Sequence, residues 1–187
     1  MLFVDSDDFV DKDIVEFLLN LSLKYNADVS RCGFYTYENS KDSPMQYKDE
    51  VRLLDREERF IDLMDGGHVS GVAWNKLYTR DVIKSHLYSK EDGCSEDILH
   101  NYRVYKDIKK SVFYDVPKYH YCINQNSITK SVFSKGAFDI IRARKIFIND
   151  FKDDEMLLRY AKKWLVISSY IVLTGCIQNE DFKNEIP

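Results

Sequence analysis

The sequence predicts an α/β domain followed by helices, and three observations carry that reading. A short apolar run, Met1-Leu2-Phe3-Val4, stops abruptly at Asp5-Ser6-Asp7-Asp8, the pattern of a buried strand that delivers carboxylates at its C-terminal end. Helical periodicity then gives way over residues 28–37 to an alternating, β-branched and aromatic stretch. From Lys135 onward strand-like runs disappear and only helical spacing remains. At 187 residues, 44% hydrophobic and 31% charged, the chain can bury one ordered domain with a helical appendage.

Each element follows from local signals. Asp11 is positioned to cap a helix whose apolar residues Ile14, Phe17, Leu18, Leu21 and Tyr25 share one face. After the strand over 28–37, the polar stretch 38–49, with Pro44, reads as a loop. Asp55 and Glu58 form a capping box for a helix through Met64, which Gly66-Gly67 would end. A short helix over 80–85 follows Val72 to Tyr78, and Ser95 caps another from Glu96 to about Tyr105. Two strands are expected at 111–116 and 119–123. Phe138, Ile141, Lys145 and Ile148 mark one amphipathic helix, and residues 156–177 form a longer one.

Charge and cysteine content exclude some functions. A net charge of −4 argues against nucleic-acid binding, which needs clustered cations. Cys32, Cys94, Cys122 and Cys176 form no CxxC pair, which argues against zinc and redox motifs. The longest apolar stretch, 164–177, is interrupted by Ser168, Ser169, Thr174 and Gly175 and is too short to span a bilayer. His68 and His100 carry no motif and are expected at the surface.

Three carboxylates within Asp5-Ser6-Asp7-Asp8 raise one another's pKa unless a cation neutralises them. Mg2+ or Mn2+ with oxygen ligands is the natural partner. An EF-hand loop starting at Asp5 fails, because Val10 stands where that loop needs glycine and Phe9 precedes it. A haloacid-dehalogenase-like, metal-dependent phosphotransferase is a weaker alternative: it too starts from Asp-x-Asp, but Phe9 departs from its motif, and Lys76 and Asp97 lie in the wrong contexts. The remaining reading is an Asp-x-Asp pair holding a metal against a diphosphate.

Phe3 to Asp11 resembles the "fvDSDDyvd" segment of family 2 glycosyltransferases of bacterial capsule and exopolysaccharide synthesis. Trp74-Asn75-Lys76-Leu77-Tyr78 is similar to their "vwnKLYkr" segment, Ser95-Glu96-Asp97-Ile98 to "gEDi", and Tyr119 to Thr129 to the stretch that closes their catalytic domain. The resemblance implies a partial GT-A fold, a mixed sheet with flanking helices plus C-terminal helices. It implies that Asp5 and Asp7 bind Mn2+ or Mg2+ and the diphosphate, that Asp8 shapes the site, and that Asp97 is the general base of an inverting transfer. Glu96 would orient acceptor hydroxyls, and Asn75 and Lys76 would have acceptor-side roles. Trp74 is either an acceptor-sugar platform or core packing. His120 is either a metal or diphosphate ligand or a structural histidine on the strand face opposite Tyr119 and Tyr121.

The same resemblance divides the chain into residues 1–135, the metal and acceptor half of a GT-A catalytic domain, and residues 136–187, a helical extension. Family members carry a nucleotide-binding segment ahead of the Asp-x-Asp site, and this sequence begins at that site. The implied partners are therefore a UDP-sugar, a glycan or lipid-linked acceptor, and a second copy or separate chain that supplies the missing half. The implied location is the cytoplasm, at the inner face of the membrane. The alternative is a non-catalytic, self-associating binding module.

Overall fold

A computed structural model describes residues 1–65, 68–123 and 136–179. Two long strands, β2 (Val29–Glu38) and β6 (Ser111–Cys122), run parallel at its centre. Short antiparallel strands border them. On the free edge of β6, β4 (Val51–Leu54) pairs with its first half and β1 (Phe9–Val10) with its second. On the free edge of β2, β5 (Lys76–Tyr78) pairs with Val29 to Arg31, and β3 (Lys41–Pro44) pairs with Tyr35 to Glu38. The result is the expected mixed α/β sheet with flanking helices.

One helix, α1 (Ile14–Tyr25), covers the sheet with Ile14, Leu18 and Leu21 and packs with Cys32, Trp74 and Tyr119. Its N-cap is Asp13 rather than Asp11, and Asp13 makes no side-chain cap. Lys118 on β6 takes the Asp13 carboxylate at 2.7 Å, and Asp11 is drawn to Lys118 and His120, so charge pairing across the chain overrides capping. The left-handed Asn26 (φ 49°) ends the helix, with Ala27 N donating to Ser22 O.

A second, larger core holds α2 (Arg56–Asp65), α5 (Glu96–Asp107), α6 (Ala137–Asp150) and α7 (Glu155–Gln178) together through Phe60, Leu63, Tyr102, Tyr105, Phe147, Phe151 and Leu157. Short helices α3 (His68–Gly71) and α4 (Arg80–Ser85) and a 3-10 turn (Lys90–Ser95) complete the elements of the described residues. The Asp55–Glu58 capping box forms reciprocally, each backbone N–H donating to the other's carboxylate at 2.9 Å.

Several elements depart from the expectation. The 38–49 loop contains β3, and β4 follows it; both are short, β3 is exposed throughout and β4 as far as Leu53, and only pairing with β2 and β6 makes them strands. The two strands expected over 111–123 are one, bent where Cys32 pairs with Tyr114 and Gly33 with Pro117. Proline cannot donate to the ladder, and Gly33 leaves room for the bulge: a Cβ there would sit 2.3 Å from Asp115 O. Residues 1–4 are not a buried strand. They run along β5 with a single bridge, Leu2 to Leu77, and Met1 and Val4 are exposed. Ser95 stands at the α5 N-cap without capping, its hydroxyl buried and unpartnered. His100 is fully buried, because α5 turns it inward against Tyr88, Phe3 and Tyr78. The Gly66-Gly67 stop, residues 124–129 of the Tyr119–Thr129 motif and the side chain of His68 lie outside the described residues.

Candidate active site

The turn after residue 4 is built around Asp8. Its Oδ2 accepts from the Tyr119 hydroxyl at 2.7 Å and its Oδ1 from Cys122 N at 2.8 Å, while Asp5 N donates to the same Tyr119 oxygen at 3.0 Å. Asp8 is thereby spent on fastening the turn to β6. Asp5 and Asp7 are exposed beyond it.

On the facing side, the N-terminal turn of α5 carries Glu96 and Asp97. Asp97 Oδ1 accepts from the Tyr88 hydroxyl at 2.7 Å and Oδ2 from Ala73 N at 3.2 Å. Its backbone carbonyl accepts from Asn101 Nδ2, which also donates to Gly71 O and Val72 O. Asn101 thus ties the start of α5 to the end of α3 and to the segment that leads into the Trp74 turn. Phe3, Asp5, Ala73, Trp74, Tyr88, Glu96 and Asp97 line one cleft of about 320 Å³.

Carboxylates dominate the electrostatics there. Partial removal from water, then Asp8, Asp97, Asp7 and Glu96, push the Asp5 carboxyl up to about 6. Like charges gathered this way fit a hard divalent cation. Among the described residues no group of three or more His, Cys, Asp or Glu is placed to hold a metal. Asp5 and Asp7 could supply two oxygen ligands, which suits an ion such as Mg2+ that takes its others from phosphate and water.

The remaining motif residues lie behind the cleft wall. Trp74 is 7% exposed, stacked on Tyr119 at 4.2 Å and edge-on to Phe34, so it presents a margin rather than an open face. Asn75 and Lys76 have no exposed surface. Asn75 Nδ2 donates to Cys32 O, and the Lys76 ammonium donates to Asn75 Oδ1 and Val72 O. Burial holds the Lys76 pKa well below the ordinary lysine range. His120 is sandwiched by Phe9 and Tyr35, with Nε2 on Asp11 at 2.9 Å and Nδ1 on Asp42 at 2.7 Å. Partial burial opposes its charge, but the two carboxylates outweigh it and raise its pKa. The structure therefore brings Asp5, Glu96, Asp97 and the edge of Trp74 together, and keeps Asn75, Lys76 and His120 apart from them.

Two residues escaped the sequence. Tyr88 sits in a linker with no motif around it, so nothing local marks it. Asn101 stands four residues after Asp97 on the same helix face, a spacing that could have revealed it.

No family model matches the chain. A curated relative from Bacillus subtilis (strain 168), named "Putative glycosyltransferase EpsH", is 27% identical over 95% of this chain and 53% of its own length. The crystal structure of S. aureus TarS 1-349 in complex with UDP-GlcNAc superposes with a TM-score of 0.62 at 16% identity, covering 85% of this chain and 46% of that one. The same TarS fragment in complex with UDP gives 0.58 at 17% identity, covering 85% and 45%. The chain spans about half the length of these proteins. In sequence the chain is similar to "Putative glycosyltransferase EpsH", and its fold is similar to that of TarS, a GT-A-like architecture.

Proposed function

We propose that this chain is the metal- and acceptor-side half of an inverting, family 2 glycosyltransferase that moves a sugar from a UDP-sugar to a glycan hydroxyl in polysaccharide biosynthesis. The observation that carries the reading is that Asp5 and Asp97 line one cleft. The relative EpsH, and the UDP and UDP-GlcNAc complexes of TarS, support it.

Asp97 is the base. It accepts the proton of the acceptor hydroxyl as that oxygen bonds to the anomeric carbon and the bond to the diphosphate breaks. Tyr88 and Ala73 N fix its carboxylate, and Asn101 fixes its helix. Glu96, exposed at the mouth, binds acceptor hydroxyls, and Trp74 offers an apolar edge. Asp8 and Tyr119 hold the turn that presents Asp5 and Asp7. A divalent cation held by these two, Mn2+ or Mg2+, would offset charge on the diphosphate. Asn75 and Lys76 act as positioning residues behind the wall, and His120 is structural.

Calorimetry with Mn2+ and UDP tests this, on the chain alone and co-expressed with the nucleotide-binding segment that the family carries. UDP binding that depends on Mn2+ and disappears in Asp5→Asn is expected. In the transferring assembly, Asp97→Asn should keep that binding and lower kcat about 10²–10⁴-fold. Absence of UDP binding in both settings sinks the reading.

A further inference from the structure

Next to the cleft, α5, α6 and α7 enclose a larger, mostly apolar groove of about 580 Å³, lined by Ser95, Ile140, Arg144, Trp164, Ile167 and Ile171 among others. Glu96 and Asp97 border both spaces.

Two buried polar atoms in its wall, Arg144 Nη1 and Ser95 Oγ, lack hydrogen-bond partners. Arg144 is 5% exposed, and its guanidinium carbon lies 3.3 Å from the centre of the Trp164 ring. Nε reaches Ser168 Oγ at 3.3 Å, but Nη1 has no hydrogen-bond partner, and no carboxylate pairs with Arg144 among the described residues. Burial alone lowers its pKa to about 9. Ser95, 3% exposed, has an unpartnered hydroxyl. A buried guanidinium with no carboxylate partner and an unbonded hydroxyl in a mostly apolar wall are costly and complement an anion. Outward from them Ile167 and Ile171 are 45% and 58% exposed, which extends the apolar wall to the surface.

We infer that this groove binds an aliphatic anion, with its oxyanion head on Arg144 and Ser95 and its apolar chain along Trp164, Ile167 and Ile171. A ligand seated there holds its head beside Glu96 and Asp97. Its role as an acceptor-side subsite rests on the transferase reading; the binding does not.

The test is calorimetry with decyl phosphate below its micellar concentration, with Trp emission as a second readout. Decyl phosphate should bind saturably and change the emission, while decanol and inorganic phosphate bind at least tenfold more weakly. Arg144→Met should reduce decyl phosphate to the level of decanol, Arg144→Lys should retain part of the binding, and Ile171→Ser, at an exposed position, should weaken it. Because Arg144→Met removes an unpaired buried charge, its thermal midpoint should be unchanged or higher. Should that variant not fold, Ile171→Ser decides. Equal binding of decanol overturns the role of Arg144, equal binding of phosphate overturns the role of the chain, and no binding overturns the inference. A groove filled by a second copy would appear as a dimer that Ile171→Ser dissociates and decyl phosphate does not titrate, which also overturns it. Loss of decyl phosphate binding with Mn2+–UDP binding intact refutes this inference alone, and the converse refutes the transferase reading alone.

Discussion

Asp5 and His100 respond to pH in opposite directions. The folded-state pKa of Asp5 is raised to about 6, so the folded chain binds the extra proton between about pH 4 and 6. The Asp5 contribution therefore favours the fold at low pH and turns against it as pH rises through 6. Asp5→Asn should stabilise the chain at pH 7.5 by about 1 kcal/mol after solvent screening, and by nothing at pH 4. Thermal melts of both proteins at the two pH values check this; equal melting points at pH 7.5 would refute it. His100 is the reverse. Burial, aided by the charge of Arg103, depresses its pKa to about 4, so the unfolded chain binds the proton first. Stability from His100 is complete above about pH 6.5 and drains away as pH falls toward 4. His100→Phe should retain the stack on Tyr88 and flatten that acid loss by about 2 kcal/mol in urea titrations run from pH 7 to 4. An unchanged acid slope would mean His100 is not the group responsible. The burial of His100 and Lys76 was invisible in the sequence because it depends on which helix face and which strand edge meet the core. Asp5 stood out because three carboxylates crowd four residues, whereas Glu96 and Asp97, ordinary at the start of a helix, drew attention only through the order and spacing of the motifs they resemble.

At the level of elements, what is local was readable and what is made across the chain was not. The Asp55–Glu58 box and the Ile14, Leu18, Leu21 face need only their own neighbours, and both form as the spacing implies. β3 and β4 exist only through their partners, and Asp11 lost its capping place to Asp13 because Lys118 and His120 claim both carboxylates. The bulge between β2 and β6 makes the sharpest element-level prediction. Gly33→Ala would place a methyl 2.3 Å from Asp115 O, against backbone that Asp115 itself anchors by accepting from Lys48 N and Glu50 N. A loss of about 1–3 kcal/mol in denaturant unfolding is expected. A variant as stable as the parent would show that the bulge yields freely.

Across the whole molecule, the boundary at residue 135 separates stretches of sequence but not of core. Ala143, Phe147, Phe151, Leu157 and Ala161 belong to the same cluster as Phe60, Tyr102 and Tyr105. Each large side chain buried there is worth about 1.5–3 kcal/mol, so the set rivals the whole stability of a domain. A chain ending at residue 135 should lose its cooperative thermal transition and bind a hydrophobic dye, as circular dichroism and fluorescence would reveal. A native-like melting point for that piece would instead make the helices 136–187 a dispensable extension. Among the described residues, the outer face of α7, with Val166, Tyr170 and Leu173, leaves a row of exposed apolar side chains for a partner to cover.

The parallel pairing of β2 with β6 also governs how the chain reaches its fold. Val29 must find Ser111, and Tyr37 must find Cys122, with α1 and β1 placed by the same late strand. Closing so long a loop costs entropy before any ladder bond repays it, so folding should be slow for a chain of this size. On the ribosome the edge of β2 that β6 will cover waits unpaired until β6 emerges, although β3 and β5 can already pair with the other edge, and during that interval the open edge is exposed to other chains.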